Sequence, residues 1–197
     1  MNINAKIFPN VVIGINPLIE EQCILGITCK PIPINKETKI GKNALIRSGT
    51  YIYENNQIGD DFTTGNRAII RESNIIGNNV SIGSMTSLAH NIIIEDDVRI
   101  HSQCFIPEYS VIKKGAWIGP GVFFTNSKYP NQTNSKKNLK GPTIEEEAII
   151  GANVTILPNV TVGSKSIIGA GSVVVTNVPK NKIFVGNPAK EIKRKDK

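Results

Sequence analysis

Glu72, His90, Glu108 and Asn126 follow one another at intervals of eighteen residues. Carboxylate, imidazole, carboxylate and amide make a set able to move a proton and to hold a polar hydrogen or oxygen. Addition of a nucleophile to a carbonyl carbon is one reaction such a set could serve, since it needs an unprotonated nucleophile, a donor for the developing oxyanion and a place for the proton. In that chemistry His90 is the candidate base, and Asn126 the group that holds the attacking atom or the carbonyl oxygen. Glu108 is the carboxylate that orients or charges the imidazole. His101 stands where Gly65, Gly83 and Gly119 stand in neighbouring repeats, and it is the alternative base.

These four residues make a site only if the chain returns on itself every eighteen residues, and the hydrophobic pattern says that it does. Every sixth residue from Ile34 to Phe124 is apolar except Thr64. A second run in another phase holds Ile144, Ile150, Ile156, Val162, Ile168 and Val174, and a short first run holds Ile7, Ile13, Ile19 and Leu25. Such internal periodicity marks a solenoid. A period of six fits neither a helix nor a long strand; it fits short strands divided by corners, three to a triangular coil. Strand alternation turns the residue two before each aliphatic inward as well, where it must be small. Ala44, Thr50, Ala68, Thr86, Cys104, Ser110 and Ala116 obey this, while Phe62 precedes the undersized Thr64 and is expected to conserve volume with it. Cys23 and Cys104 fall on the same inward positions.

The wider composition agrees. A chain of 197 residues with 40% hydrophobic content suits one domain, and 33 Ile and 14 Val against 6 Leu favour strands. The fold class is therefore all-β. The helix is expected over 1–179, with a polar loop at about 126–143 thrown out from one corner. Residues 180–197 are expected to form a cap and basic tail. A second break in phase falls at about 28–33. Glycine follows many of the aliphatics, as at Gly41, Gly59, Gly77 and Gly83, where a corner leaves little room for a Cβ. No apolar run reaches the roughly 18 residues that span a bilayer, and MNINAKIFPN lacks the layout of a signal peptide. A cytoplasmic protein without membrane insertion is expected. Three cysteines without CxxC spacing suggest free thiols rather than a disulfide framework or zinc ribbon. Glu145, Glu146 and Glu147 show no spacing that demands a metal.

A net charge of +7 gathers at Lys128, Lys136, Lys137, Lys140 and in EIKRKDK, and favours a polyanionic small ligand. Nucleic acid is not expected, since aromatics are only 6% and no recognition motif is present. Outward columns carry information too. Ile75, Ile93 and Val111 make one apolar stripe and Ser87, Phe105 and Phe123 line another, on the two faces beside the His90 corner, which suggests subunit contact. Thr63, Ser81, Arg99 and Trp117 describe a solvated third face.

The stretches WIGPGVFFTNSKYP, KGPTIEEEAIIGANVTILPNVTVG, SIIGAGSVVVTNVP and VGNPAK, with the repeated glycine blocks, resemble the hexapeptide-repeat acyltransferases over nearly the whole chain. The resemblance implies a left-handed parallel β-helix, a homotrimer, and acyl-CoA lying in a cleft between subunits. The FTN…YP stretch followed by a basic loop is similar to N-acetyltransferases of nucleotide-linked amino sugars, so acetyl-CoA is the implied acyl donor and no metal is implied. Lys128, Tyr129 and Glu72 are the residues expected to meet the acceptor. The corners Gly151–Ala152 and Gly169–Ala170 are expected to bond the pantetheine amides, and Lys190, Lys193 or Arg194 the phosphates. Some members carry TGH where this chain has Thr64, Gly65 and Asn66, so no histidine role carries over to that corner. O-acetylation of a sugar and a non-catalytic solenoid are the alternatives. A zinc enzyme needing three histidines is excluded by a chain with two.

Overall fold

The computed structural model of the protein describes residues 4–29 and 36–192. Its β-branched residues form strands of two to four residues, each ended by a corner. They stack into three sheets of nine, eight and ten strands, called A, B and C here in the order the chain visits them. The coil is a left-handed parallel β-helix of triangular section. The register repeats at eighteen residues: in sheet A, Ile69 pairs with Ser87, Ser87 with Phe105 and Phe105 with Phe123.

The six-residue pattern is the core. Ile46, Ile52, Ile70, Ile106 and Ile118 are fully buried, and so are the small inward residues Ala68, Thr86, Ser110 and Ala116. Phe62 and Thr64 share one layer, both buried, and Thr64 Oγ1 accepts from Arg47 N–H at 3.0 Å. Cys23 and Cys104 are buried as expected, and burial pushes both thiols up. Ile34 lies outside the described residues.

Two inward positions hold amides. Asn56 and Asn74 are completely buried before sheet B and form a ladder. Asn56 Oδ1 accepts from Asn74 N–H at 3.0 Å, and Asn74 Oδ1 accepts from Ile92 N–H at 2.8 Å. Each amide also donates to a carbonyl of its own corner, Tyr53 and Arg71. Every polar atom is thereby paired, which is what lets amides replace aliphatics inside the prism.

Gly41, Gly59, Gly77 and Gly83 do not supply a left-handed backbone. That conformation falls two residues later, on Asn43, Asp61, Asn79 and Met85. Gly83 instead provides clearance: a Cβ there would overlap the backbone of His101 and Ser102 in the next coil.

Both phase breaks are insertions. Ile24 pairs with Tyr51, 27 residues on, and Val111 with Thr143, 32 residues on, against the usual 18. The second insertion leaves corner A–B after Phe124 and contains a 3₁₀ turn at Ser135–Asn138. The helix runs beyond residue 179: Ile183–Val185 adds a parallel rung beside Ile167–Ile168, and the chain reverses only at Lys190–Ile192. Among the described residues no helix is long and apolar enough to cross a membrane.

Candidate active site

Corner A–B carries the eighteen-residue column. Asn126 Nδ2 donates to Glu108 Oε2 at 2.7 Å, and the other carboxylate oxygen lies 3.6 Å from His90 Nε2. On the far side of the ring, Asn91 Nδ2 lies 2.8 Å from His90 Nδ1. The Tyr109 ring meets the imidazole edge-on, with centroids 6.1 Å apart. Three of the four expected residues are thus in one chain of contacts, and Asn91 and Tyr109 join them.

Glu72 occupies the column's lower part and is otherwise engaged. Arg71 donates to both of its oxygens, at 2.7 and 2.9 Å, and the Cys29 thiol donates to it as well. Burial raises its pKa, but the Arg71 hydrogen bonds outweigh this and hold the carboxyl below the usual range. Three coils, about 14 Å at roughly 4.8 Å each, separate it from Asn126. Glu72 lies one coil below His90, with its carboxylate held by Arg71 and Cys29 rather than by the other candidates. Glu54, one coil lower and completely buried, belongs to the same column and accepts from Cys29 N–H at 2.7 Å. Burial and these two carboxylates push the Cys29 thiol up to about 12.

Above Asn126 the inserted loop folds over the corner and encloses a cavity of about 340 Å³. Asn126, Lys128, Tyr129 and Lys140 line it together with Pro158 and Asn159 of the next coil. Lys128 Nζ lies 5.5 Å from the centre of the Tyr129 ring. Lys140 N–H donates to the Asn126 carbonyl at 2.9 Å, which closes the loop on the candidate residue itself. Two lysines and several amides give the lining cationic and hydrogen-bonding groups suited to an anionic ligand.

His101 lies on a different edge of the prism, corner C–A, where its ring packs on Trp117 at 4.6 Å between centroids. Gly151–Ala152 and Gly169–Ala170 follow further along that edge. The N–H groups of Gly151 and Gly169 donate to Ile168 and Phe184 in the ladder. Among the described residues, those of Ala152 and Ala170 make no hydrogen bond. Lys190 pairs with Val185, whose side chain rests over Gly169, so these candidates form a second cluster. Lys193 and Arg194 lie outside the described residues. The two clusters occupy separate edges of one chain.

Sequence reasoning missed Glu54 and Asn91. Glu54 carried a signal, eighteen residues before Glu72, whereas Asn91 carried none, because its contact with His90 depends on how one corner bends.

Residues 75–108 and 141–176 match the bacterial transferase hexapeptide (six repeats) family. Over 83 residues the chain is 39% identical to serine acetyltransferase 2 of Arabidopsis thaliana, covering 42% of this chain and 26% of that protein. Over 53 residues it is 49% identical to a 2,3,4,5-tetrahydropyridine-2,6-dicarboxylate N-acetyltransferase of Clostridium perfringens, 27% of this chain and 22% of that one. The chain spans less than half the length of these curated relatives. Across 97% of its length it shares the fold of a UDP-N-acetylglucosamine acyltransferase from Campylobacter jejuni, with a TM-score of 0.71, 17% identity and 73% of that chain covered. Repeat, register and fold agree with the family match, and over residues 75–108 and 141–176 the chain carries the bacterial transferase hexapeptide repeat.

Proposed function

We propose that the protein is an acyl-CoA-dependent acyltransferase that N-acetylates an amino group of a nucleotide-linked sugar. The observation that carries this reading is Asn126, fixed by Glu108 at the mouth of a cationic cavity. Its Nδ2 is spent on the carboxylate, which leaves Oδ1 as an acceptor for a donor group. An amine satisfies it with one N–H and keeps its lone pair for attack. The nitrogen attacks the thioester carbonyl carbon, the C–S bond breaks, and the thiolate leaves with the proton that the nitrogen sheds. Lys128 and Lys140 suit the phosphates of the acceptor, with Tyr129 beside them. The names of the relatives, a serine acetyltransferase and an N-acetyltransferase, support acetyl transfer as the reaction class.

The acyl donor is assigned to corner C–A, where the amides of Ala152 and Ala170 suit the pantetheine and Lys190 suits a phosphate. One chain holds donor and acceptor clusters on different edges, so a complete site requires a neighbouring copy. Exposed apolar residues flank the His90 corner, Phe105 and Phe123 on sheet A and Ile75 and Ile93 on sheet B, and they suit packing between copies. A homotrimer satisfies both requirements.

O-acetylation of a sugar is the second reading, favoured by the His90–Glu108 pair, because a hydroxyl nucleophile needs a base. A thiol-release assay with acetyl-CoA against nucleotide-linked amino sugars and their hydroxyl analogues separates the two. Release with amines alone supports N-acetylation, release with hydroxyl analogues supports the second reading, and release with neither refutes both.

A further inference from the structure

We propose that Asn91 is a positioning residue that sets the tautomer of His90 and, through that ring, steadies the Glu108 carboxylate that holds Asn126. An amide nitrogen only donates. With Asn91 Nδ2 at 2.8 Å from Nδ1, that ring nitrogen offers its lone pair and the ring hydrogen sits on Nε2. Nε2 faces the Glu108 carboxylate at 3.6 Å, where an N–H is favoured and a lone pair is repelled. Turning the Asn91 amide over would place its oxygen against Nδ1 and demand the hydrogen there. A lone pair would then point at a carboxylate, so the two ends of the ring agree on one tautomer.

The departure of Asn91 from its neighbours supports the assignment. At the corresponding corner position Asn55 donates up the stack to Ser73 at 3.0 Å, and at another edge Asn79 donates to Asp97 at 2.8 Å, each eighteen residues on. Asn91 has the same left-handed backbone, with φ at 57°, but its counterpart is Tyr109, whose ring stands against the imidazole. Its amide turns sideways to the residue before it instead.

The consequence runs along the column. With Nδ1 covered and Nε2–H aimed at Glu108, His90 keeps no lone pair for a substrate, and it braces the carboxylate. Glu108 only accepts, so Asn126 must meet it through Nδ2 and present Oδ1 outward. This last step rests on the N-acetylation reading; the tautomer does not.

The chain has two histidines, so ¹⁵N-histidine labelling and long-range ¹H–¹⁵N spectra at alkaline pH resolve both rings, with His90→Gln giving the assignment. The expected wild-type pattern is a single Nε2–H tautomer at His90. Asn91→Asp, which offers only acceptors, is expected to switch it to Nδ1–H, and Asn91→Leu to give an averaged pattern. Both are expected to lower kcat for an amine acceptor about tenfold with KM for acetyl-CoA unchanged. A wild-type Nδ1–H pattern, or an unchanged Nε2–H pattern in both variants, overturns the proposal. A tautomer switch without any acetylation of amines by the wild type retains Asn91's role and refutes the N-acetylation reading, so the two fail separately.

Discussion

Asn126→Asp replaces one amide nitrogen by oxygen at almost constant shape, and the structure makes it a severe change. The new oxygen would stand where Nδ2 now lies, 2.7 Å from Glu108 Oε2. Two carboxylates with charge centres about 4 Å apart repel by about 4 kcal/mol at an effective dielectric of 20. The Glu108 side chain is 27% exposed, so solvent reduces this to roughly 1–2 kcal/mol. As pH falls one of the pair takes up a proton, and a shared hydrogen bond replaces the repulsion. That group's folded pKa is raised above its unfolded value. Its penalty is therefore full above the folded pKa, shrinks as pH falls through it, and is gone below the unfolded value. The expected result is a melting temperature about 2–8 °C below wild type at pH 8, with the gap closing toward pH 5. Asn126→Ala loses the hydrogen bond without adding charge, so its deficit should be independent of pH across that range. Thermal scans of the three proteins at a fixed protein concentration make the comparison. An Asn126→Asp protein with wild-type stability at pH 8 would mean that the amide does not point its nitrogen at Glu108, and the orientation argument would fall with it.

Other sites allow equally direct tests. Glu72→Gln removes a carboxyl whose folded pKa is depressed, so its contribution is full above about 4.5 and is lost as pH falls through the lower folded value. The variant should melt about 2–4 °C below wild type at neutral pH and approach it near pH 3, and an equal gap at both would refute the Arg71 pairing. The Cys29 thiol, raised from 9.0 to about 12, should alkylate near pH 8 on the order of a thousandfold more slowly than a free thiol, with Glu72→Gln accelerating it. Rapid iodoacetamide labelling mapped to Cys29 would contradict the two-carboxylate cage. Asn74→Leu should cost about 2–4 kcal/mol in urea unfolding, because the Ile92 N–H and the Arg71 carbonyl both lose their buried partner. A neutral effect would show that the ladder is dispensable.

What was legible in the sequence follows from what the prism requires at every rung. An inward Ile or Ala has no alternative place in a coil repeated at eighteen residues, so the pattern alone positioned Ile106 over Leu88, and the same arithmetic stacked Asn126 over Glu108. The limits appear where a residue's role depends on direction rather than on height. Glu72 sits at the expected level of the column, yet its carboxylate turns to Arg71 and Cys29 and not toward the cavity. His101 departs from the glycine pattern conspicuously, but it occupies another edge, against Trp117. Asn91 had no pattern to betray it, because left-handed corners accept Asn freely, and only the neighbouring Tyr109 turns its amide sideways. A solenoid sequence thus fixes which residues share a corner, while the chemistry at that corner is set by which partner each side chain finds there. The amides of Ala152 and Ala170 carry this furthest: their height in the stack was legible, but they lie on corner C–A and Asn126 on corner A–B, so the height alone does not bring them together.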